Sequence, residues 1–117
     1  MYKSSFANYS DEEFIEDFYT DNIITPAIEY DILTYLYENS EDYQELIEYM
    51  KLSSNGEYLK KYVDCDVAHK YGSYNGYIHD YGIVYGDTTY LIGVYTNNVA
   101  NAAELIAEIN QEIYENY

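Results

Sequence analysis

The sequence predicts an α+β fold, with a helical layer, a three-stranded antiparallel sheet and a C-terminal helix laid on the sheet. Three observations predict it. In the first half, apolar residues recur at helical spacing, as in Ile28, Ile32, Leu33 and Leu36. From Val63 onward the pattern changes to tyrosine-rich and β-branched runs, punctuated by Asn75-Gly76 and Gly86-Asp87. A last apolar stripe at helical spacing then closes the chain. The 117 residues suffice for one domain with one modest core. Residues 1–63 form its helical part, and residues 64–117 the sheet plus final helix.

The elements follow in order. Ser10 with Glu13 makes a capping box that opens a helix over about Asp11–Tyr19. Thr25-Pro26 opens the next helix, with Thr as cap and Pro at the first helical position, and it ends near Asn39. Ser40 is expected to cap a third helix, acidic at its start and apolar at Leu46, Ile47 and Met50. Ser53 to Gly56 reads as a loop, and Glu57–Tyr62 as a short helix. Three strands are expected, over Cys65–Tyr71, Tyr77–Tyr85 and Thr88–Thr96, with a turn at Ser73-Tyr74-Asn75-Gly76 and a hairpin at Gly86-Asp87. The third strand has apolar residues on both faces, as an interior strand would. Asn97 or Asn98 is expected to cap the final helix, whose buried stripe is Ala102, Leu105, Ile106, Ile109 and Ile113.

Composition excludes several classes of function. Aspartate and glutamate number 22 against five lysines, with no arginine, for a formal net charge of −17. Such a surface repels nucleic acid and anionic membrane, so neither is expected as a partner. Added salt should relieve the self-repulsion and stabilise the fold. No apolar run approaches membrane-spanning length, and the polar sequence that follows Met1 is not expected to act as a signal peptide. Cys65 is the single cysteine, so no intramolecular disulfide can form; it reads as a small buried hydrophobe. His69 lies four residues on, but two strand residues at that spacing stand too far apart for a nucleophile and its base. His69 and His79 offer no third ligand, so no metal or other cofactor is expected. Both are expected to be strand residues with partly exposed rings. Nineteen tyrosines, three phenylalanines and no tryptophan imply many half-buried rings at element edges and on sheet faces.

The second half carries a resemblance. Asp64-Cys-Asp-Val-Ala-His-Lys70-Tyr71-Gly72-Ser73, then Tyr77-Ile-His-Asp80-Tyr-Gly-Ile-Val84, then Tyr90-Leu-Ile-Gly-Val-Tyr-Thr96, resembles the end of class A β-lactamases and related penicillin-recognising serine hydrolases. In that family one strand carries Lys-Thr-Gly and a small residue, a second carries Asp before an Ile-Val run, and a third apolar strand ends at Thr before a long closing helix. Asp21 to Leu33 is similar to the family's Asp-Thr-Thr-Thr-Pro segment and the helix after it. The resemblance implies substrate-binding roles for Lys70, Tyr71, Gly72 and Ser73. Lys70 would attract a substrate carboxylate, Gly72 would admit substrate backbone, and the Ser73 N–H would help form an oxyanion hole. Tyr71 stands where the family usually has Thr, and its longer phenol would crowd the carboxylate pocket. Asp80 matches a family aspartate of structural role.

The same resemblance marks what these residues do not contain. The family's nucleophile sits in Ser-x-x-Lys, and no serine here has lysine three residues on. No Ser-Asp-Asn element occurs either, and Glu12, Glu13 and Glu16 lack the motif around the family's deacylating glutamate. No catalytic residue is therefore assigned. The expected reading is the C-terminal part of a hydrolase acting on a β-lactam or D-Ala-D-Ala peptide, inactive alone. The alternative is a non-catalytic binding or structural module that retains the sheet. The 88–96 strand edge would pair with a complementing N-terminal segment or with a second copy. Family resemblance implies an extracytoplasmic or secreted location.

Overall fold

The computed structural model describes residues 24–53 and 56–117. The helix expected over Asp11–Tyr19, the glutamates within it, Asp21 to Ile23, and Ser54 and Asn55 lie outside the described residues.

Helix α1 (Pro26–Glu38) starts as its sequence dictates. Thr25 is extended, and its Oγ1 accepts from the Ile28 N–H at 3.2 Å. Pro26 lacks only an N–H that has no intrahelical partner at that position. The helix ends at Asn39, whose backbone and side chain both donate to the Tyr35 carbonyl. Ser40 completes this terminus: its hydroxyl lies 2.5 Å from the Tyr37 carbonyl and 3.4 Å from that of Leu36. Ser40 therefore closes α1 and does not cap the next helix, because the orphan carbonyls of α1 lie nearer than any new N–H. Helix α2 (Gln44–Lys51) begins after Tyr43 with no side-chain cap.

A 3₁₀ turn over Tyr58–Lys60 stands where a longer helix was expected. The sheet follows: β1 (Val67–Tyr74), β2 (Tyr77–Tyr85) and β3 (Thr89–Asn97), all antiparallel, in the order β1-β2-β3. Ser73 and Tyr74 are strand residues, not turn residues, paired with Ile78 and Tyr77. The turn narrows to Asn75 and Gly76, with φ of 51° and 83°. Positive φ at both positions makes a turn whose twist matches its strands. The second hairpin needs three residues, 86–88, since Tyr85 pairs with Thr89.

Both faces of the sheet are covered. On one, Leu33 and Leu36 of α1 and Ile47 of α2 pack on Ala68 and Ile83. On the other, Leu59, Val63 and Ile106 pack on Val67 and Val84. Ile106 belongs to helix α3 (Ala102–Asn116). This double cover explains why β3 is apolar on both sides although it is an edge strand, not an interior one, among the described residues.

Three expected helix details shift. Helix α3 is capped at Asn101, with φ 55°, because Asn97 ends β3 and Asn98 turns back to donate its N–H to the Gly76 carbonyl at 2.8 Å. The buried stripe of α3 is Ala102, Ile106, Ala107 and Asn110, whereas Leu105 is exposed and Ile109 and Ile113 are half-buried. Polar Asn110 takes an inward place because it is doubly bonded, accepting from the Tyr90 hydroxyl at 2.7 Å and donating to the Leu59 carbonyl at 2.7 Å. In α1, Ile32 is exposed and Glu29 is buried beside Ile28 and Leu33.

Candidate functional site

The predicted site residues lie at the far end of β1, on an edge of the sheet. Strand alternation divides them. Lys70 and Gly72 belong to the face covered by α1 and α2, while Tyr71 and Ser73 belong to the face of the 3₁₀ turn. The Tyr71 ring stacks on Tyr58, centroids 4.7 Å apart and planes 17° apart. Its phenol is thereby held on the side opposite Gly72. The Lys70 ammonium wraps the edge, donating to the Tyr71 carbonyl at 2.7 Å, 5.8 Å from the Tyr71 ring centroid. Lys70 and Ser73 are exposed.

Register decides where the backbone of this edge points. In an antiparallel pair, alternate residues exchange both hydrogen bonds with the partner strand, and those between them face outward. The two-residue turn makes Tyr74 and Tyr77 a bonded pair, and Asp66, of the same parity, accepts from the Tyr85 N–H at 3.0 Å. The odd residues of β1 therefore face away from β2. Accordingly, the His69 carbonyl is met by the Ser53 hydroxyl at 2.6 Å, and the Tyr71 carbonyl by Lys70. By the same alternation the Ser73 N–H points out from the open edge.

Sequence reasoning placed His69 among partly exposed residues, and the structure corrects this. His69 is fully buried, with its Nδ1 2.6 Å from Asp80 Oδ2. The same Asp80 oxygen accepts from the Leu59 N–H at 3.1 Å. Asp80 thus ties β1, β2 and the 3₁₀ turn together, a structural role. Gly82 lies across from His69, and a Cβ there would stand 2.6 Å from the His69 Cβ. His79 lies on the opposite face, so the two histidines cannot share an ion. Among the described residues, no group of three His, Cys, Asp or Glu is placed to hold a metal. Cys65 is half-buried, and burial pushes its thiol pKa up, away from nucleophilic chemistry.

On the Lys70 face a second polar cluster was missed by sequence reasoning. Glu29 is 4% exposed and its Oε2 accepts from the Tyr95 hydroxyl at 2.6 Å. Burial raises the Glu29 pKa, opposed by the Tyr95 hydrogen bond and by the charges of His79 and Lys70. Burial also raises the Tyr95 and Tyr81 phenols, that of Tyr81 to about 12, so both remain protonated. The Tyr95 ring stacks on His79 at 5.6 Å. The available signal was the i, i+4, i+7 series Glu29, Leu33, Leu36, which puts Glu29 on the apolar stripe of α1.

A surface hollow of about 310 Å³ lies between α2 and Tyr85, and Lys70 does not line it. The charge-bearing edge of β1 is therefore the candidate site, an open rim. No helix among the described residues is long and apolar enough to cross a membrane.

No curated protein matches the chain at a significant level. A model of the beta-lactamase enzyme family matches residues 6–117. The match spans the α1 helix, all three strands and the closing helix. The chain belongs to the beta-lactamase enzyme family.

Proposed function

We propose that this chain supplies the anion-binding side of an acyl-transfer site in a β-lactamase-like serine hydrolase. Lys70 attracts the carboxylate of a β-lactam or a D-Ala-D-Ala peptide. The Ser73 N–H is one donor to the oxyanion that forms when a serine attacks the acyl carbon. The space that a side chain at Gly72 would fill is taken by the His79 ring, so the substrate backbone lies along the outer edge of β1. A preorganised donor of this kind is worth roughly 3–4 kcal/mol in the transition state. The observation that carries the reading is the outward parity of Ser73 on an open edge, three residues from an exposed lysine.

The serine itself is not among these 117 residues, which contain no Ser-x-x-Lys. The isolated chain should therefore bind but not turn over. Titration with benzylpenicillin should move the Gly72 and Ser73 amide signals, and Lys70→Ala should weaken binding about tenfold, roughly 1.4 kcal/mol. Unchanged affinity in Lys70→Ala would remove the anion-binding role. Hydrolysis of a chromogenic cephalosporin by the chain, lost in Lys70→Ala, would overturn the expected inactivity.

The missing Ser-x-x-Lys favours a second reading, a non-catalytic binding or structural module. The coding sequence upstream of Met1 separates the two, since an in-frame Ser-x-x-Lys there establishes the first. The strand at the opposite edge, Thr89–Asn97, contains no charged residue. Self-association through it, or pairing with a complementing segment, is proposed on that ground. A molar mass in light scattering that stays monomeric at high concentration would exclude self-association. The family resemblance supports an extracytoplasmic location.

A further inference from the structure

Two glycines on the Lys70 face let aromatic rings lie flat on the sheet. A Cβ at Gly72 would stand 2.9 Å from His79 Nε2, so the imidazole leans from β2 over β1. A Cβ at Gly93 would stand 2.8 Å from the Tyr95 ring, which folds back along β3. His79 and Tyr95 are paired across β2 and β3, and their rings stack. The Tyr95 hydroxyl then ends on the buried carboxylate of Glu29, in the first turn of α1. The chain of contacts runs from α1 across the sheet to the edge that carries Lys70 and Ser73.

We infer that Glu29 and Tyr95 are positioning residues that hold the His79 ring over Gly72, where its Nε2 faces an anionic ligand lying along β1. This rests on the function proposed above and adds a second contact to it. An unsupported imidazole on a sheet face has two free torsions and samples several rotamers. The stack against Tyr95 removes that freedom, and the hydrogen bond to Glu29 stops Tyr95 from swinging away. Glu29 is suited to this because its burial fixes its own rotamer.

The test uses the chain's two histidines, which lie on opposite faces. Ring signals of His79 and the α-proton signals of Gly72 report the positioning, while the buried His69 ring reports the fold. Tyr95→Phe keeps the ring but removes the hydroxyl, and should move the His79 and Gly72 signals while leaving His69 in place. Glu29→Ala should do the same, and Glu29→Gln, which keeps an acceptor oxygen, should restore the wild-type positions. Gly72→Ala should displace the ring directly. Wild-type His79 and Gly72 signals in both Tyr95→Phe and Glu29→Ala would overturn the inference. Should Glu29→Ala fail to fold, Tyr95→Phe alone decides it. Benzylpenicillin affinity should fall several-fold in Tyr95→Phe and His79→Ala and recover in Glu29→Gln. Equal affinity in His79→Ala and wild type would overturn the ligand contact. Absence of binding to the wild-type chain would instead overturn the function proposed above, and the ring signals would still decide the positioning.

Discussion

On each face of the sheet a histidine is linked to a buried carboxylate, and the two links are built differently. His69 and Asp80 meet directly, both fully buried, and Asp80 is bonded also to the Leu59 backbone. His79 reaches Glu29 only through Tyr95, and its ring is half-buried over a glycine at the rim. The first pair is buried at both ends, with the 3₁₀ turn bonded to its carboxylate. The second has its carboxylate sealed and its imidazole turned toward the edge. A closed pair of this kind stabilises the fold, and an open relay anchored at one end can orient a group toward solvent. Residue type alone does not distinguish them; burial of the terminal group does.

The largest expected effect comes from breaking the closed pair. Asp80→Ala would remove the oxygen that meets His69 Nδ1 and the Leu59 N–H. Each buried polar group that loses its partner costs about 1–3 kcal/mol, so the two together cost about 2–6 kcal/mol. Urea unfolding should show a loss in that range, and a loss under about 1 kcal/mol would mean that Asp80 is not the tie between β1, β2 and the turn. Next comes Gly82→Ala, which places a methyl carbon 2.5 Å from the Ala68 carbonyl oxygen and 2.6 Å from the His69 Cβ. Both neighbours are buried strand atoms that cannot yield easily, so the expected cost is about 1–3 kcal/mol.

The open relay should be cheaper to break. Tyr95→Phe removes one hydrogen bond from a ring that is 36% exposed. The expected loss is about 1 kcal/mol, read from the same urea midpoints. A cost as large as that of Asp80→Ala would erase the contrast between the two faces and make the Glu29–Tyr95 bond a fold-determining one.

What the sequence made legible follows the same division. Local chemistry is readable: Thr25-Pro26 opens α1, Asn75-Gly76 turns the first hairpin, and the three strands follow in order. Details decided by partners distant in the chain are not. Ser40 reads as the cap of the helix after it, but the carbonyls that hold it belong to the preceding helix. Leu105 is apolar and exposed, whereas polar Asn110 joins the buried stripe of α3, because Leu59 and Tyr90 bond it from 51 and 20 residues away. The candidate edge was visible in Lys70, Gly72 and Ser73. Their division between two faces follows from period-two alternation, but the outward parity of Ser73 required the hairpin register. Glu29 was hidden by its charge, since a glutamate on an apolar stripe is ordinarily read as an interruption and here is the anchor.

The smallest effect is also the one that tests what kind of anchor Glu29 is. Its pKa is raised in the folded chain, burial being the main cause. Between the ordinary glutamate value and that raised value, the folded state holds more protons than the unfolded state. Stability contributed by this group is therefore greatest at low pH and declines as pH rises through that window. Above the window the loss is complete and constant. Glu29→Gln cannot titrate and keeps an acceptor for Tyr95, so it should lack this decline. The difference in unfolding free energy between Glu29→Gln and wild type should grow in favour of the variant from the ordinary glutamate pKa upward, then level off. The remaining acidic residues are common to both proteins, so their mutual repulsion cancels in the difference. A difference that stays flat across that range would mean that Glu29 titrates alike folded and unfolded, and that its carboxylate is solvated and not sealed beneath Tyr95.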